Sequence, residues 1–453
     1  MAKIALVQAV CTRKDHEFYI GHLGLSFLSQ FLKSQGHEVL VADRGFHVDF
    51  IPRVYDFSPE FIGLNMGVDT ERVRSTAKTL RSLFPQSPLI IGGPYLSLHP
   101  EKAMRDTAAD IGVVGDGIPI IQNIIEGDYS KSGIITSDGK GVTLNGRAEY
   151  AVDNWKLDPS ALPKNRFQVY PFVTSMGCWG KCTYCSERRV SPRISFRPLE
   201  DVVEDIEILK RTRGVSWLEA MDSDFLIKKE RFSEFMEMLK ARPTPLIGFQ
   251  ARADDILKAG GELAEYKDRI QEIEIGIESF LPAQLERWNK GITVEKNMAA
   301  IELLRQLRVR TYFNLILGDK EASREQTLGE FSQTKDFFCE HPEYLPLIWG
   351  VNLMIYEGEI YRYPVFARNF FNFFDTIAFR NTIRSRGGAC ESFYSGKTVP
   401  QKSKDIIRGL LEDFYSRCVK QQFDSEKCPA EVDNFCRRQA ITLGAFSNVM
   451  YDY

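Results

Sequence analysis

The loop Gly177-Cys178-Trp179-Gly180-Lys181-Cys182-Thr183-Tyr184-Cys185 places three thiols within eight residues. Thiolates are soft metal ligands, and three at CxxxCxxC spacing can wrap three corners of an iron–sulfur cubane. A [4Fe–4S] cluster ordinarily takes four cysteines, so a trio leaves one iron open to a small-molecule ligand. A catalytic zinc site keeps one position open by the same logic. A structural zinc site wants four protein ligands, and no second cysteine pair or histidine stands near this loop. Buried unliganded cysteines are common. Three of them in one short, glycine-containing polar loop are not ordinary core packing.

The other six of the nine cysteines are Cys11, Cys339, Cys390, Cys418, Cys428 and Cys436. They are too sparse, in too long a chain, for a secreted disulfide framework, so reduced thiols are expected. The last four raise the idea of an auxiliary cluster, but their wide spacing on helical patterns reads as ordinary buried thiols.

A cluster loop needs a rigid frame, and the sequence lays one out. Short apolar runs at Ile4–Val7, Glu38–Asp43, Phe61–Met66, Leu89–Gly93 and Ile111–Val114 read as strands. They alternate with helical patterns such as Leu23–Gln35 and Thr70–Phe84. Nearly continuous apolar strands are what a parallel sheet covered on both faces requires. Residues 1–125 are therefore expected to form a doubly wound, Rossmann-like α/β domain. The G-x-G-x-x-G phosphate fingerprint is missing after the first strand, which weakens a dinucleotide reading.

Residues 126–165 are polar and turn-rich and are expected to be a linker with a small hairpin. A second βα series follows over 166–360, with strands expected at Phe172–Thr174, Trp217–Glu219, Leu246–Gln250, Ile273–Ile277, Tyr312–Leu317 and Ile348–Ile355. Helical patterns at Asp201–Arg211, Lys229–Lys240 and Val294–Leu307 separate them. Such spacing suggests a partial or full βα-barrel whose functional residues lie at strand C-terminal ends. Residues 361–453 are expected to form a helical cap.

The cysteine loop, with Tyr184 before the third cysteine and a strand before the loop, resembles the radical S-adenosylmethionine (radical SAM) superfamily. That resemblance implies that Cys178, Cys182 and Cys185 hold a [4Fe–4S] cluster whose open iron chelates S-adenosylmethionine. One-electron reduction then releases a 5′-deoxyadenosyl radical. Further segments match the superfamily's strand ends. Met221-Asp222-Ser223-Asp224-Phe225 stands at the second-strand motif, though without its common GGE form, which implies cofactor contacts for Ser223 and Asp224. Phe249-Gln250-Ala251-Arg252-Ala253-Asp254 resembles the strand end that presents an arginine to the cofactor carboxylate. For Arg252 and Asp254, ligand contact and a mutual ion pair are equal alternatives. Ile275-Gly276-Ile277-Glu278-Ser279 is similar to the strand whose Glu and Ser lie near the ribose. Asn314-Leu315-Ile316-Leu317-Gly318 resembles the strand lining the adenine, which implicates Leu317.

The segments Tyr19-Ile20-Gly21-His22-Leu23-Gly24, Gly36-His37-Glu38-Val39, Ile91-Gly92-Gly93-Pro94 and Val114-Gly115-Asp116-Gly117 resemble the cobalamin-binding domain fused to one branch of these enzymes. The resemblance makes Gly92, Gly93 and Gly115 candidate cobalamin contacts. Tight turns explain the same glycines equally well. The DxHxxG sequence that supplies cobalt with a histidine elsewhere is absent, and His22, His37, His47 and His99 read as polar surface or loop residues. Members of the branch include methyltransferases, and some keep the domain without using cobalamin.

With 453 residues, at ~150 per domain, the chain has room for about three domains. A composition of 43% hydrophobic and 26% charged residues is that of a folded protein. A formal charge of −3 speaks against an open nucleic-acid groove. No run of ~20 apolar residues offers a membrane span, since the longest, Leu345–Tyr356, is broken by Asn352. No signal peptide is read, and a cytoplasmic protein is expected. The leading expectation is a cobalamin-dependent C-methyltransferase of secondary metabolism that takes a small-molecule substrate and an electron donor such as flavodoxin or ferredoxin. The alternatives are a radical SAM enzyme whose cobalamin-type domain is unused, performing dehydration, rearrangement or transfer of another cofactor-derived group, and a non-catalytic iron–sulfur sensing protein.

Overall fold

The computed structural model describes residues 1–9, 21–47, 49–67, 70–137, 142–165, 168–240, 242, 245–317, 324–353, 355–357, 360–362 and 400–414. Most of the expected C-terminal cap, with Cys390, Cys418, Cys428 and Cys436, and also Cys11, lies outside them. The chain divides into two compact units. Of the described residues, one takes in those of Met1–Trp179 and Cys185–Phe249, the other those of Gly180–Tyr184 and from Gln250 to Phe414.

The first unit opens with β1 (Lys3–Gln8), β2 (Glu38–Asp43), β3 (Phe61–Asn65), β4 (Leu89–Gly92) and β5 (Ile111–Val113), close to the expected runs. They form a parallel sheet in the order β2-β1-β3-β4-β5. Their β-branched and leucine side chains fill two cores, one on each sheet face, as both-sided helix cover demands. The order 2-1-3-4-5 reverses at β1 and β3, the topological switch point where open α/β sheets hold ligands beyond their carboxyl ends.

The stretch expected as a linker is more than that. Its hairpin, β6 (Ile134–Ser137) and β7 (Val142–Asn145), extends the same sheet antiparallel to β5. Downstream, Asp158 accepts hydrogen bonds from Ser29 at 2.6 Å and Lys33 at 2.7 Å, both on the helix Leu23–Ser34. A polar, turn-rich composition conceals this docking, because the contacts reach back more than a hundred residues.

The same unit holds β8 (Val169–Phe172), the short antiparallel pair β9 (Ser175–Met176) and β10 (Ser195–Phe196), β11 (Trp217–Ala220) and most of β12 (Leu246–Arg252). β11 runs parallel to both β8 and β12. The first of these strands begins three residues before its expected start, because Tyr170 and Pro171 are themselves buried in the sheet. Behind it, Phe172, Phe225, Phe235 and Phe249 form an aromatic cluster in which Phe225 and Phe249 lie 4.8 Å apart, ring centre to ring centre.

In the second unit, β13 (Ile270–Glu278), β14 (Thr311–Leu317) and β15 (Ile348–Leu353) run parallel. β16 (Ile355–Glu357) and β17 (Ile360–Arg362) form a small hairpin. The helix Val294–Leu307 falls where its periodicity predicts, capped by the Thr293 side chain. No helix among the described residues is long and apolar enough to cross a membrane.

Candidate functional site

Within the first unit, a cavity of about 310 Å³ opens beyond the carboxyl ends of β1, β3, β4 and β5. Gly92, Gly93 and Gly115 line it, and so do His22 and Asn65. Geometry separates these glycines into two kinds. Gly93 (φ +110°) and Gly115 (φ +99°) have backbones that a side chain rarely adopts, and a Cβ at Gly115 would lie 2.1 Å from Ala148 O. They are demanded by the turns. Gly92 has an ordinary φ, and its Cβ would meet nothing nearer than Val113 at 3.9 Å. Its missing side chain keeps the cavity floor open.

His22 is not a surface histidine. Its Nδ1 accepts the Leu25 amide proton at 3.2 Å, capping the helix Leu23–Ser34. Burial lowers its pKa to about 4, so the ring is neutral at physiological pH. Its other ring nitrogen, Nε2, lies 3.1 Å from Asn65 Nδ2, which also donates to Gln8 Oε1 at 2.8 Å.

The cavity has a second wall, from Val173, Met176 and Met221 near the ends of β8, β9 and β11. The same strand ends anchor the cysteine loop. Asp222, fully buried, accepts from Thr174 N at 2.9 Å, Thr174 Oγ1 at 2.6 Å and Ser175 Oγ at 2.7 Å. Glu187 accepts from Gly177 N at 3.1 Å and from the Ser223 hydroxyl. Burial nonetheless pushes the Glu187 and Asp222 carboxyls above their usual range. Gly177, at φ +91°, has no room for a Cβ, which would fall 2.5 Å from Arg193 O. Asp224, beside Ser223, is fully buried.

The remaining predicted residues belong to the second unit. Arg252, 5% exposed at the end of β12, pairs with Asp254 at 3.1 Å, so the mutual ion pair is present. Its Nη1 also reaches Cys182 Sγ at 3.7 Å, a hydrogen bond to sulfur of the kind that tunes a bound cluster. Glu278 ends β13 at a register shift with φ +64°, a bulge that turns its carboxylate toward Lys290 Nζ at 3.2 Å. The Ser279 hydroxyl is committed locally, donating to Gln284 and accepting from Leu281 N at 3.0 Å. Leu317 ends β14 as expected, and its side chain lies outside the described residues.

Two residues escaped the sequence reading. Lys290, 4% exposed, lies in the turn after the helix Pro282–Arg287. Glu274 shares one face of β13 with Glu272, Gly276 and Glu278 and accepts from Asn314 Nδ2. Burial, reinforced by the Glu278 carboxylate, raises its pKa to about 7. The signal for Glu274 was the alternation of isoleucine with polar residues, which marks a polar face on a strand.

The three loop cysteines are in no disulfide, and the described residues supply no fourth thiol to the loop. That donor chemistry fits a cluster with one open iron. Among the described residues, no three His, Cys, Asp or Glu side chains converge as a metal-holding group. In the second unit Arg252 offers a donor to a cluster thiolate, and in the first Gly92 offers an open floor to a cavity ligand.

Comparison with known proteins matches the radical SAM superfamily over residues 172–330 and the B12-binding domain over residues 14–125. The chain carries a radical SAM domain and a B12-binding domain. An uncharacterized methyltransferase of Pyrococcus horikoshii is 22% identical over 354 residues, 71% of this chain and 74% of that protein. Among solved structures, the radical SAM methyltransferase TsrM of Kitasatospora setae, with tryptophan and an S-adenosylmethionine analogue bound, superposes with a TM-score of 0.62. It is 18% identical and covers 78% of this chain and 73% of its own. The cobalamin-dependent radical SAM enzyme OxsB, with aqua-cobalamin and S-adenosylmethionine bound, gives 0.65 at 16% identity. It covers 97% of this chain and 75% of its own. This radical SAM fold, a Rossmann-like domain followed by parallel βα units, is the one that the strand patterns foretold.

Proposed function

We propose that this radical SAM enzyme binds cobalamin and methylates carbon in a small molecule of secondary metabolism. The observation that carries the reading is the double wall of the first unit's cavity. One side is the Rossmann switch point with the bare Gly92, the other the strand ends that anchor the cysteine loop.

Cys178, Cys182 and Cys185 would hold the [4Fe–4S] cluster, while Arg252, Glu278, Ser223, Asp224, Ser279, Tyr184 and Leu317 are assigned to the surroundings of S-adenosylmethionine. Gly92, Gly93 and Gly115 are assigned to the cobalamin side. When bound, these groups supply an adenosyl radical and a transferable methyl, chemistry that belongs to the cofactors. The chain's own part is orientation and shielding. Arg252 donates to the central thiolate, and neutral His22 adds an uncharged ring to the cavity wall. The apolar walls from Val173, Met176 and Met221 limit water. A cytoplasmic flavodoxin or ferredoxin would deliver the electron.

Titration of the anaerobic protein with hydroxocobalamin tests this. A spectral change and co-elution on gel filtration are expected. No change and no retention would remove the methyltransferase mechanism and leave an enzyme whose B12-type domain is idle.

A further inference from the structure

Lys290 sits where three parts of the second unit meet. Its Nζ donates to Tyr184 Oη at 3.0 Å and to Glu278 Oε1 at 3.2 Å. Its backbone carbonyl accepts from Arg252 Nη2 at 2.8 Å, the same guanidinium that reaches Cys182. The two residues before it grip the cysteine loop. Thr183 N donates to Trp288 O at 2.9 Å, and Asn289 Nδ2 donates to Lys181 O at 3.2 Å. The Tyr184 ring packs edge-on to Trp288, with centroids 5.3 Å apart.

A buried ammonium is expensive unless it is paired and hydrogen-bonded. Here it has a carboxylate and a phenol, so the arrangement is specified rather than incidental. The strand makes room for it, since a Cβ at Gly276 would come within 3.2 Å of Nζ. Glu278 meets it from a left-handed backbone that costs about 1–3 kcal/mol in a non-glycine residue and persists only where its surroundings over-determine it. Asn297 supplies part of that determination, donating to the carbonyls of Ile277 and Ser279 at 3.3 and 3.1 Å. The Lys290 ion pair adds to it from the side-chain end.

We propose that Lys290 is a positioning residue, which through Tyr184 and Glu278 fixes the central cysteine of the trio relative to the β13 strand end. This rests on the radical SAM reading of those two segments. Lysine suits the task because its compact ammonium has three donors on one atom. Methionine would keep the packing but leave Glu278 without a counter-charge and Tyr184 Oη without this donor.

The test uses the full chain, anaerobically reconstituted with iron and sulfide, as native protein and as the Lys290→Met, Lys290→Arg and Tyr184→Phe variants. Electron paramagnetic resonance of the reduced cluster is recorded during titration with S-adenosylmethionine. Lys290→Met is expected to retain its iron, to bind S-adenosylmethionine about tenfold more weakly, the equivalent of one lost buried contact, and to show a smaller spectral change at saturation. Lys290→Arg should recover part of both losses, which a purely structural role would not predict. Should Lys290→Met fail to fold, Tyr184→Phe, lacking one oxygen, decides: a weakened titration supports the role and a native one overturns it. A native response in both variants overturns this inference alone. A native protein with no response to S-adenosylmethionine overturns the radical SAM reading with it.

Discussion

Replacing Glu274 with glutamine should remove a pH-dependent cost from the folded protein. Burial and the nearby Glu278 carboxylate raise this carboxyl from 4.5 to about 7, which makes its ionised form about 3 kcal/mol less favourable in the fold than in the unfolded chain. The sign follows from proton binding. Between pH 4.5 and 7 the folded state keeps the proton and the unfolded state has lost it, so stability falls as pH rises and levels off above about 7. Glutamine cannot ionise and can still accept from Asn314. Hydrogen exchange in peptides covering Ile270–Glu278, corrected for intrinsic rates, reads the local effect. The ratio of protection in Glu274→Gln to that in the native protein should be near one at pH 4.5. It should climb to roughly a hundredfold at pH 8, the exchange equivalent of the energy above. A ratio that stays flat with pH, or that favours the native protein at pH 8, would refute the argument.

The two kinds of glycine in the Rossmann cavity should separate experimentally. Gly115→Ala, with its Cβ driven 2.1 Å from Ala148 O at φ +99°, should lower the thermal midpoint through about 1–3 kcal/mol of backbone strain. Gly92→Ala should leave the midpoint in place and weaken hydroxocobalamin binding. His22, lowered from 6.5 to about 4, should cost stability progressively as pH falls through that window, by at most about 3 kcal/mol. The measurement is the unfolding midpoint against pH, which should be flatter for His22→Asn with its cap retained. Arg197 and Asp205 form a buried pair at 2.6 Å. Arg197→Met should therefore destabilise by about 3–5 kcal/mol, read as a lower urea midpoint in the phase that reports the first unit.

The parallel strands and several of the helices were legible because their signals are local. Continuous apolar runs and 3.6-residue periodicity marked β1 to β5 and the helices Lys229–Lys240 and Val294–Leu307 to within a residue or two. Three features were not legible, for different reasons. Lys290 sits in a turn after a short helix, where a lone lysine looks like any solvated residue, and only tertiary burial distinguishes it. The roles of Gly92 and Gly93 differ through one backbone angle that adjacent identical letters cannot reveal. His22 read as a surface or loop histidine because its burial comes from tertiary packing, which includes Asn65 more than forty residues away. The cysteine trio is the opposite case, since the chemistry expected of it rests on spacing alone.

The most direct test is the product formed when cluster-loaded protein is incubated anaerobically with reductant and S-adenosylmethionine. Native protein should accumulate 5′-deoxyadenosine, and a Cys182→Ala variant should lose both its iron and this product. Absence of 5′-deoxyadenosine from fully loaded native protein, or equal amounts from the variant, would contradict a three-thiol cluster with an iron reserved for the nucleotide.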